Sequence, residues 1–589
     1  MTAANTAATP ANTTLGAPPP ARVRGRRKAF DWPTAAVVVV VVAILGILII
    51  YPLASVFGQA LSARGWEVVR STLTDPVNRQ IVVNTFVLGA VVGVLGTVLG
   101  FLLAYVQVKV AFTGKRWFHL LCLLPVVSPP FAAATAIITL IGRRGIITHG
   151  MLGLDTNIYG LPGLTIVLVM SFFPVAYMNF KGMLENLDPA LDDASANLGA
   201  SKWTTFWKVT LPMLVPGFAA SFLLLFVEAI ADLANPLVIG GDFTVLASRA
   251  YIAITGEYDI VAGSAYSLVL LMPALLVFVV QQYWVGRRST VSVTGKPAGQ
   301  KRLITHPSGR VPLLAFGVLV LSAIVLIYLT VIVGAFTKIL GINNEFTLAN
   351  FQYVLSGIGN ESIKDTTLLA LIATPIAGIL GMLMAWLVVR KVKRGSGLLD
   401  FLGMLGLAVP GTVVGIGYAI AFNTPLRVQV GGTTYQLLPA LGGGAAMFGG
   451  AVAIVMVYVI RSLPSGQRTG IAALQQIDPS IDEAAASLGA ESTTVFRTVT
   501  LPLIRPAFLA GLIYAFARSM TTLSPIIFIT TPQTQIMTKQ ILAEVDAGRF
   551  GNAFAFCTLL LIIVLSVMGL MSLLLRGRND VRTQIGAGA

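Results

Sequence analysis

The sequence has few charged residues, since Asp, Glu, Lys and Arg make up 11% of its 589 positions. An ordinary soluble domain has about 25%, so this composition cannot cover the surface of a soluble protein. Apolar residues make up 56%, which also excludes a disordered chain, because disorder requires low hydrophobicity. The remaining class is a protein that crosses a membrane several times.

Residue types that build metal and redox sites are scarce. Cysteine occurs twice, at Cys122 and Cys557 in apolar runs, and the three histidines lack His-x-x-x-His spacing. Neither a disulfide framework nor a metal site is therefore expected. The Walker motif Gly-x-x-x-x-Gly-Lys-Ser/Thr does not occur, so we predict no ATP site and no cofactor in this chain. The net charge of +16 does not indicate nucleic acid, because membrane proteins keep excess Lys and Arg in cytoplasmic loops.

Twelve apolar stretches are long enough to cross a bilayer, for which a helix needs about 20 residues. They lie at about 34–56, 81–108, 118–141, 161–180, 210–232, 262–286, 311–337, 367–389, 400–424, 446–464, 500–522 and 553–575. Prolines interrupt the third stretch and, at Pro410, the ninth. A helix bundle tolerates such breaks, because neighbours satisfy the freed backbone groups. Lys and Arg concentrate in alternate connecting segments, which predicts that both termini are cytoplasmic.

A polar, basic segment separates two groups of six predicted spans, and the chain contains an internal repeat. Residues 187–217 and 477–507 align without a gap at an offset of 290 and are identical at 15 of 31 positions. We predict an all-α integral membrane protein with about twelve transmembrane helices in two homologous six-helix halves. The predicted boundaries are a disordered cytoplasmic tail at 1–30, a first repeat at 31–286, a linker at 287–310, a second repeat at 311–576 and a cytoplasmic tail at 577–589.

The repeated segment is a polar cytoplasmic loop whose pattern predicts two short helices. Asp188 is placed to cap the first helix, and Gly199 suits the left-handed position after its end. The second helix has Phe206 on its apolar side, and residues 211–212 open the next span. The second copy repeats the pattern, so the two loops would face the cytoplasm symmetrically and suit two copies of a partner.

This loop resembles the EAA signature of permease subunits of bacterial ABC importers. In that family it forms the coupling helix, which is seated in a groove of the ATP-binding subunit. The second copy matches the signature at Glu483, Ala484, Ala485, Gly489, Val499, Leu501 and Pro502. The first copy departs from it mildly, because Asp193-Ala194-Ser195 replaces Glu-Ala-Ala, whereas Gly199, Val209, Leu211 and Pro212 fit.

The resemblance covers residues 34–575 and implies two fused units with the type I ABC importer permease fold. It implies a bacterial inner (plasma) membrane location and no enzymatic activity in this chain. The expected partners are two copies of an ATPase subunit, which bind and hydrolyse ATP, and one extracytoplasmic solute-binding protein. Because of the departure at Ser195, we expect the two ATPase contacts to be unequal.

The outer segments 235–259 and 525–551 and the fused format resemble ferric-iron permeases. Thiamine, aminoethylphosphonate and polyamine permeases are close relatives, so these substrates stay open. The sequence offers no cluster of carboxylates, tyrosines or histidines for a bare ferric ion, so an external protein would have to present it. An ion-coupled secondary transporter also has two similar halves, but it needs no paired docking loops.

Two ionisable residues lie inside predicted spans at the same offset of 290, Glu228 in the fifth and Arg518 in the eleventh. An ionisable group within the membrane is a functional candidate by default. We interpret the two either as an ion pair across the interface between the halves or as residues that line the pathway. Arg461 and Tyr177 are candidates to line the cytoplasmic end of the spans, but anchoring at the membrane surface is the interpretation that we favour.

Overall fold

The computed structural model describes residues 32–281, 303–392, 394–430, 433–444, 446–478 and 501–586, with a few isolated positions between 480 and 498. The predicted tail at 1–30 and most of the predicted linker lie outside this part. Within it, ten helices are long and apolar enough to cross a membrane, or up to twelve if each of two bent pairs is one span. The prediction of an all-α protein with about twelve transmembrane helices is confirmed.

The spans keep the order of the predicted stretches. The continuous ones are span 1 (Thr34–Ala60), span 2 (Pro76–Lys109), span 4 (Leu161–Asn186), span 5 (Lys202–Ala231), span 6 (Ile260–Val280), span 7 (Pro307–Ala335), span 8 (Gly357–Lys391), span 10 (Phe448–Gln475), span 11 (Leu501–Thr521) and span 12 (Phe550–Leu573). The bent ones are span 3 (Lys115–Val127 and Ala132–Met151, 104°) and span 9 (Ser396–Ala408 and Gly411–Phe422, 98°). The helix of span 12 continues to Gly586, so it includes most of the predicted C-terminal tail.

Both bends occur where the sequence has proline. The first helices of spans 3 and 9 end just before Ser128 and Val409, which adopt extended backbone angles and precede Pro129 and Pro410. A residue before proline is disfavoured in the helical region, and the proline nitrogen cannot donate a hydrogen bond. The predicted breaks in the third and ninth spans are confirmed.

Shorter elements connect the spans. The helices are Ala63–Thr74, Pro189–Asn197, Ala234–Ile239, Leu246–Thr255, Ala349–Val354 and Met537–Asp546. Two antiparallel hairpins pair Thr337–Ile339 with Asn343–Phe346 and Leu426–Val430 with Thr433–Leu438. These hairpins are the strands of the described part of the chain, and neither belongs to a span.

The first span of each half packs against the bent span of the other half. Span 1 contacts span 6 and the second helix of span 9. At this contact Tyr418 donates a hydrogen bond to the Leu48 carbonyl (2.7 Å), and Tyr51 donates one to the Ala421 carbonyl (3.3 Å). Span 7 contacts span 12 and the second helix of span 3 in the corresponding way. This exchange joins the two halves about a pseudo-twofold axis.

Within each half, the second, fourth and fifth spans form a compact group, as spans 2, 4 and 5 and as spans 8, 10 and 11. Glycine permits the closest approach in both groups. A Cβ atom on Gly100 of span 2 would lie 2.7 Å from the backbone nitrogen of Tyr177. A Cβ atom on Gly381 of span 8 would lie 2.9 Å from the backbone nitrogen of Gln467. Small residues allow membrane helices to pack closely in this manner.

Replacing Gly100 by alanine is therefore expected to lower the thermal stability of the detergent-solubilised protein. The added methyl group meets backbone atoms that cannot move aside, and overpacking of this kind costs about 1–3 kcal/mol. Gly182 of span 4 is the matched control, because nothing lies within 4 Å of its missing Cβ. Equal melting temperatures for Gly100→Ala and Gly182→Ala would contradict the close contact.

Candidate coupling and translocation sites

The first repeated loop forms a helix–turn–helix element between spans 4 and 5. Asp188 caps the helix Pro189–Asn197, because its side chain accepts a hydrogen bond from the Ala190 nitrogen (2.9 Å). Gly199 follows this helix with φ +77°, and nothing lies within 4 Å of its missing Cβ. Glycine is thus required by the left-handed backbone and not by close packing. The predicted cap and the left-handed glycine are confirmed.

The sequence pattern predicts a second short helix that is separate from the next span. The structure differs, because this helix is continuous with span 5. Lys202–Thr205 continues through a π-helical turn, Phe206–Thr210, into the helix Leu211–Ala231. The wider turn shifts the hydrogen-bond register just before Pro212, whose nitrogen has no proton to donate. The second short helix and the span therefore form one continuous helix, Lys202–Ala231.

Each half connects this loop region to the end of its second span. Lys109, the last residue of span 2, forms an ion pair with Asp192 of the loop (2.7 Å). Arg390, near the end of span 8, donates hydrogen bonds to the carbonyl oxygens of Leu474 (3.2 Å) and Ile477 (2.8 Å). These contacts hold the region at each repeated loop against the end of a transmembrane helix.

The first loop leaves large apolar side chains in contact with solvent. Leu198 is 88% exposed and Trp203 is 69% exposed. The residues that match the signature lie on the same element: Ala194 and Pro212 are exposed, and Asp193 and Leu211 are half-buried. Apolar side chains clustered at an exposed position are typical of a surface that a partner covers.

The second loop is described only in part. Glu483, Ala485 and Gly489 lie outside the described residues. Ala484, Leu501 and Pro502 are described, and all three are exposed.

The two intramembrane candidates do not touch. Glu228 and Arg518 make no ion pair within 4.0 Å with each other or with another described residue. Arg518 and Arg461 nevertheless lie within electrostatic range of Glu228. Span 5 packs on spans 2, 4 and 6, whereas span 11 packs on spans 8, 10 and 12, which keeps the two side chains apart. The expected ion pair is thus not formed by direct contact, and a pathway role stays as a proposal.

Glu228 faces a cavity between the two halves. The cavity has a volume of about 20 Å³, enough for about one water molecule, and lies among spans 5, 6, 9 and 10. Its walls are formed by Leu224, Val227, Glu228, Phe278, Gln281, Leu407, Ala408 and Arg468. Two charged side chains and one amide therefore face an otherwise apolar space.

Arg461 is not a membrane-surface anchor, contrary to the interpretation from the sequence. Its Nη1 donates hydrogen bonds to the carbonyl oxygens of Gly406 (2.9 Å) and Val409 (3.1 Å). These carbonyls lie at the bend of span 9, where the helix can no longer satisfy them. Sequence reasoning missed this role, because the acceptors are backbone atoms some 55 and 52 positions away.

Tyr177 is likewise buried and is not an anchor. Its hydroxyl lies 2.8 Å from Nδ1 of His119, which links spans 3 and 4. In the second half, Gln467 Nε2 donates to Asp400 Oδ1 (2.7 Å) and links spans 9 and 10. Tyr177 and Gln467 are related by the repeat offset of 290, which is the signal that could have identified these matched pairs.

The end of the second half opposite the repeated loop contains a buried carboxylate, Glu544. Glu544 accepts hydrogen bonds from Arg549 Nε (2.6 Å), Arg549 Nη2 (2.8 Å), Asn552 (2.9 Å) and Tyr353 (3.1 Å). Burial raises the pKa of Glu544, but these hydrogen bonds outweigh it and hold the pKa below its ordinary value. The carboxylate thus joins Met537–Asp546, span 12 and Ala349–Val354 into one surface at this end.

Two curated relatives match most of the chain. "Ferric transport system permease protein FbpB" of Actinobacillus pleuropneumoniae is 33% identical over 561 residues, which cover 90% of this chain and 76% of the relative. "Putative ferric transport system permease protein FbpB 1" of Haemophilus influenzae is 33% identical over 526 residues, with coverage of 84% and 78%. "Sulfate transport system permease protein CysT" of Salmonella typhimurium is 31% identical over 201 residues, with coverage of 34% and 70%.

The family model for the binding-protein-dependent transport system inner membrane component matches twice, at residues 96–290 and 377–581. The two matches lie in the two halves that the fold relates by a pseudo-twofold axis. Together they cover more than half of the chain. The chain therefore belongs to the binding-protein-dependent transport system inner membrane components, as a fused two-repeat ABC importer permease that is a transport subunit and not an enzyme.

Proposed function

We propose that this chain forms the translocation pathway of a ferric-iron importer. The observation that carries the proposal is the similarity to two ferric transport permeases across 90% and 84% of this chain. The similarity to a sulfate permease covers 34% and supports the family alone. Membership of this family argues against an ion-coupled secondary transporter, because transport by this family depends on a binding protein.

The iron is presented by the external binding protein and is not captured by the permease itself. Among the described residues, no group of three or more His, Cys, Asp and Glu side chains is placed to hold a metal ion. The surface around Glu544 suits a docking partner, because it needs no ordering on contact. Inside the membrane, Glu228 and Arg518 line the pathway between the halves.

Two ATPase subunits bind from the cytoplasm, one at each repeated loop. The exposed Leu198 and Trp203 would be covered by such a subunit, and the ion pair of Lys109 with Asp192 would carry its motion to span 2. The second contact involves Glu483 and Gly489 and their neighbours, which have the same sequence pattern. Lys and Arg in the loops on this side support a cytoplasmic position for both termini.

Reconstituted vesicles test the substrate. We expect the chain, its ATPase subunit and an iron-loaded binding protein to take up ferric iron only when ATP is present on the ATPase side. Sulfate, thiamine and a polyamine, each with its own binding protein, are the comparison cargoes. Uptake of one of these without iron uptake would overturn the proposed substrate and leave the family assignment intact.

The number of ATPase subunits is tested by the mass of the intact complex. We expect two nucleotide-binding subunits for each 62.2 kDa chain, because the two halves each present one loop. A stable and active complex with a single ATPase subunit would contradict the symmetric arrangement.

Gly199→Val is expected to uncouple ATP hydrolysis from transport or to weaken ATPase binding. A β-branched residue at φ +77° is strained, at a cost of about 1–2 kcal/mol for a left-handed backbone. Gly199→Asn is the matched control, since asparagine tolerates this conformation, and the open space around the position accepts its side chain. Normal coupling in the valine variant, or equal loss in both variants, would show that the backbone conformation is not what matters.

A further inference from the structure

Two aromatic residues have a backbone conformation that their side chains disfavour. Among the residues that the structure describes, Tyr258 (φ +55°) and Phe448 (φ +53°) are the non-glycine residues with positive φ. Left-handed backbone is uncommon for residues other than glycine and is strained for a bulky one. Strain of this kind persists only where the surrounding structure enforces it, and it is concentrated at functional positions.

Tyr258 occupies a position at which the second half has glycine. It directly precedes Asp259, which caps span 6. The repeat offset of 290 places Gly548 (φ +72°) at the corresponding position before span 12. The left-handed turn is thus common to both halves, and glycine makes it without strain. A tyrosine in the same turn indicates that its side chain has a role of its own.

Ion pairs on both sides hold Tyr258 in this conformation. Glu257 pairs with Arg249 (2.7 Å), and Asp259 pairs with Arg64 (2.5 Å). The Tyr258 side chain itself is 85% exposed and makes no hydrogen bond or ring contact with the described part of the chain. The flanking carboxylates place this ring in water and not in lipid, where such charges are costly.

Phe448 is held and exposed in a similar way. The carbonyl oxygen of the next residue, Gly449, accepts hydrogen bonds from the hydroxyl groups of Thr531 (2.5 Å) and Thr534 (2.8 Å). The Phe448 side chain is 76% exposed and has no ring contact with another described residue. Phe448 begins span 10, and spans 1, 8, 9 and 11 pack around that span. Its ring therefore also faces water and not lipid.

The two aromatic residues belong to one surface, at the end of the spans opposite the repeated loops. Tyr258 lies between the far end of span 5 and the start of span 6, and the other end of span 10 leads into the second loop. The helix before Tyr258 carries Tyr251, whose ring contacts Phe528 of the other half (centroids 5.7 Å apart). Phe528 lies in the same segment as Thr531, which holds the backbone beside Phe448. Each half thus contributes one strained, exposed aromatic residue to this surface.

We propose that Tyr258 and Phe448 are aromatic anchors by which this surface binds the extracytoplasmic solute-binding protein. Aromatic side chains are enriched in the buried centre of protein interfaces, and a few of them carry most of the binding energy. A ring on a turn that is already held in place loses little conformational freedom when a partner covers it. The partner is assigned because transport by this family depends on a binding protein. The inference rests on the proposed function for the outward orientation of this surface.

The test measures the affinity of the iron-loaded binding protein for the full chain with its ATPase subunits in lipid nanodiscs. We expect Tyr258→Asn and Phe448→Asn each to weaken binding about tenfold. The melting temperature should stay equal or rise, because asparagine tolerates left-handed backbone, so a loss of binding is not a loss of folding. Tyr258→Phe keeps the ring and should bind normally.

Trp66→Ala is the matched control, because Trp66 is an exposed aromatic residue at the same end of the protein with ordinary helical backbone. We expect it to bind normally. Equal losses in the Trp66 and Tyr258 variants, or unchanged affinity in both asparagine variants, would overturn the anchors.

A second arm separates docking from a lipid contact and from a wrong substrate. Tyr258→Cys can be labelled selectively, because the two natural cysteines are buried. We expect a water-soluble maleimide to label this variant in vesicles and the iron-loaded binding protein to protect it. An absence of labelling would place the position in lipid and overturn the proposal, and so would labelling that the binding protein does not reduce. Protection without iron uptake supports the anchors and overturns the ferric substrate, and iron uptake without protection does the reverse.

Discussion

The absence of water in the bilayer core is the constraint on which the arrangement of this protein depends. Every backbone polar group there must find a partner within the protein, yet spans 3 and 9 are broken by proline. At the bend of span 9, Arg461 satisfies the carbonyl oxygens of Gly406 and Val409. The same side chain brings a guanidinium into the middle of the bundle. Arg461 therefore both satisfies the backbone at the bend and adds a positive charge at the interface between the halves.

Duplication within one chain allows the two halves to differ in chemistry while they share a fold. In a symmetric dimer of separate subunits, corresponding positions would carry the same charge and would repel each other across the axis. Here Glu228 corresponds to Arg518. The buried pair of His119 and Tyr177 likewise has a counterpart of different residues in the second half. Fusion thus permits an asymmetric pathway in a pseudo-symmetric frame.

The first repeated loop is joined directly to two spans of its half. Its second short helix continues without interruption into span 5, and Lys109 joins the loop to span 2 through an ion pair. The exchange of the first spans then connects each half to the bent span of the other. These contacts across the two halves are compatible with alternation between two packed states.

Hydropathy, charge distribution and the repeat were sufficient to predict the number of spans, the two halves and the positions of the breaks, because lipid imposes length and polarity on every span. Local chemistry was sufficient for the cap at Asp188 and the left-handed Gly199, which depend on neighbouring backbone alone. Only the tertiary structure decided that Glu228 and Arg518 stay apart and that Arg461 binds the bend of span 9. Those outcomes depend on which helices pack together, and apolar spans look alike in sequence, since lipid requires the same residues of all of them.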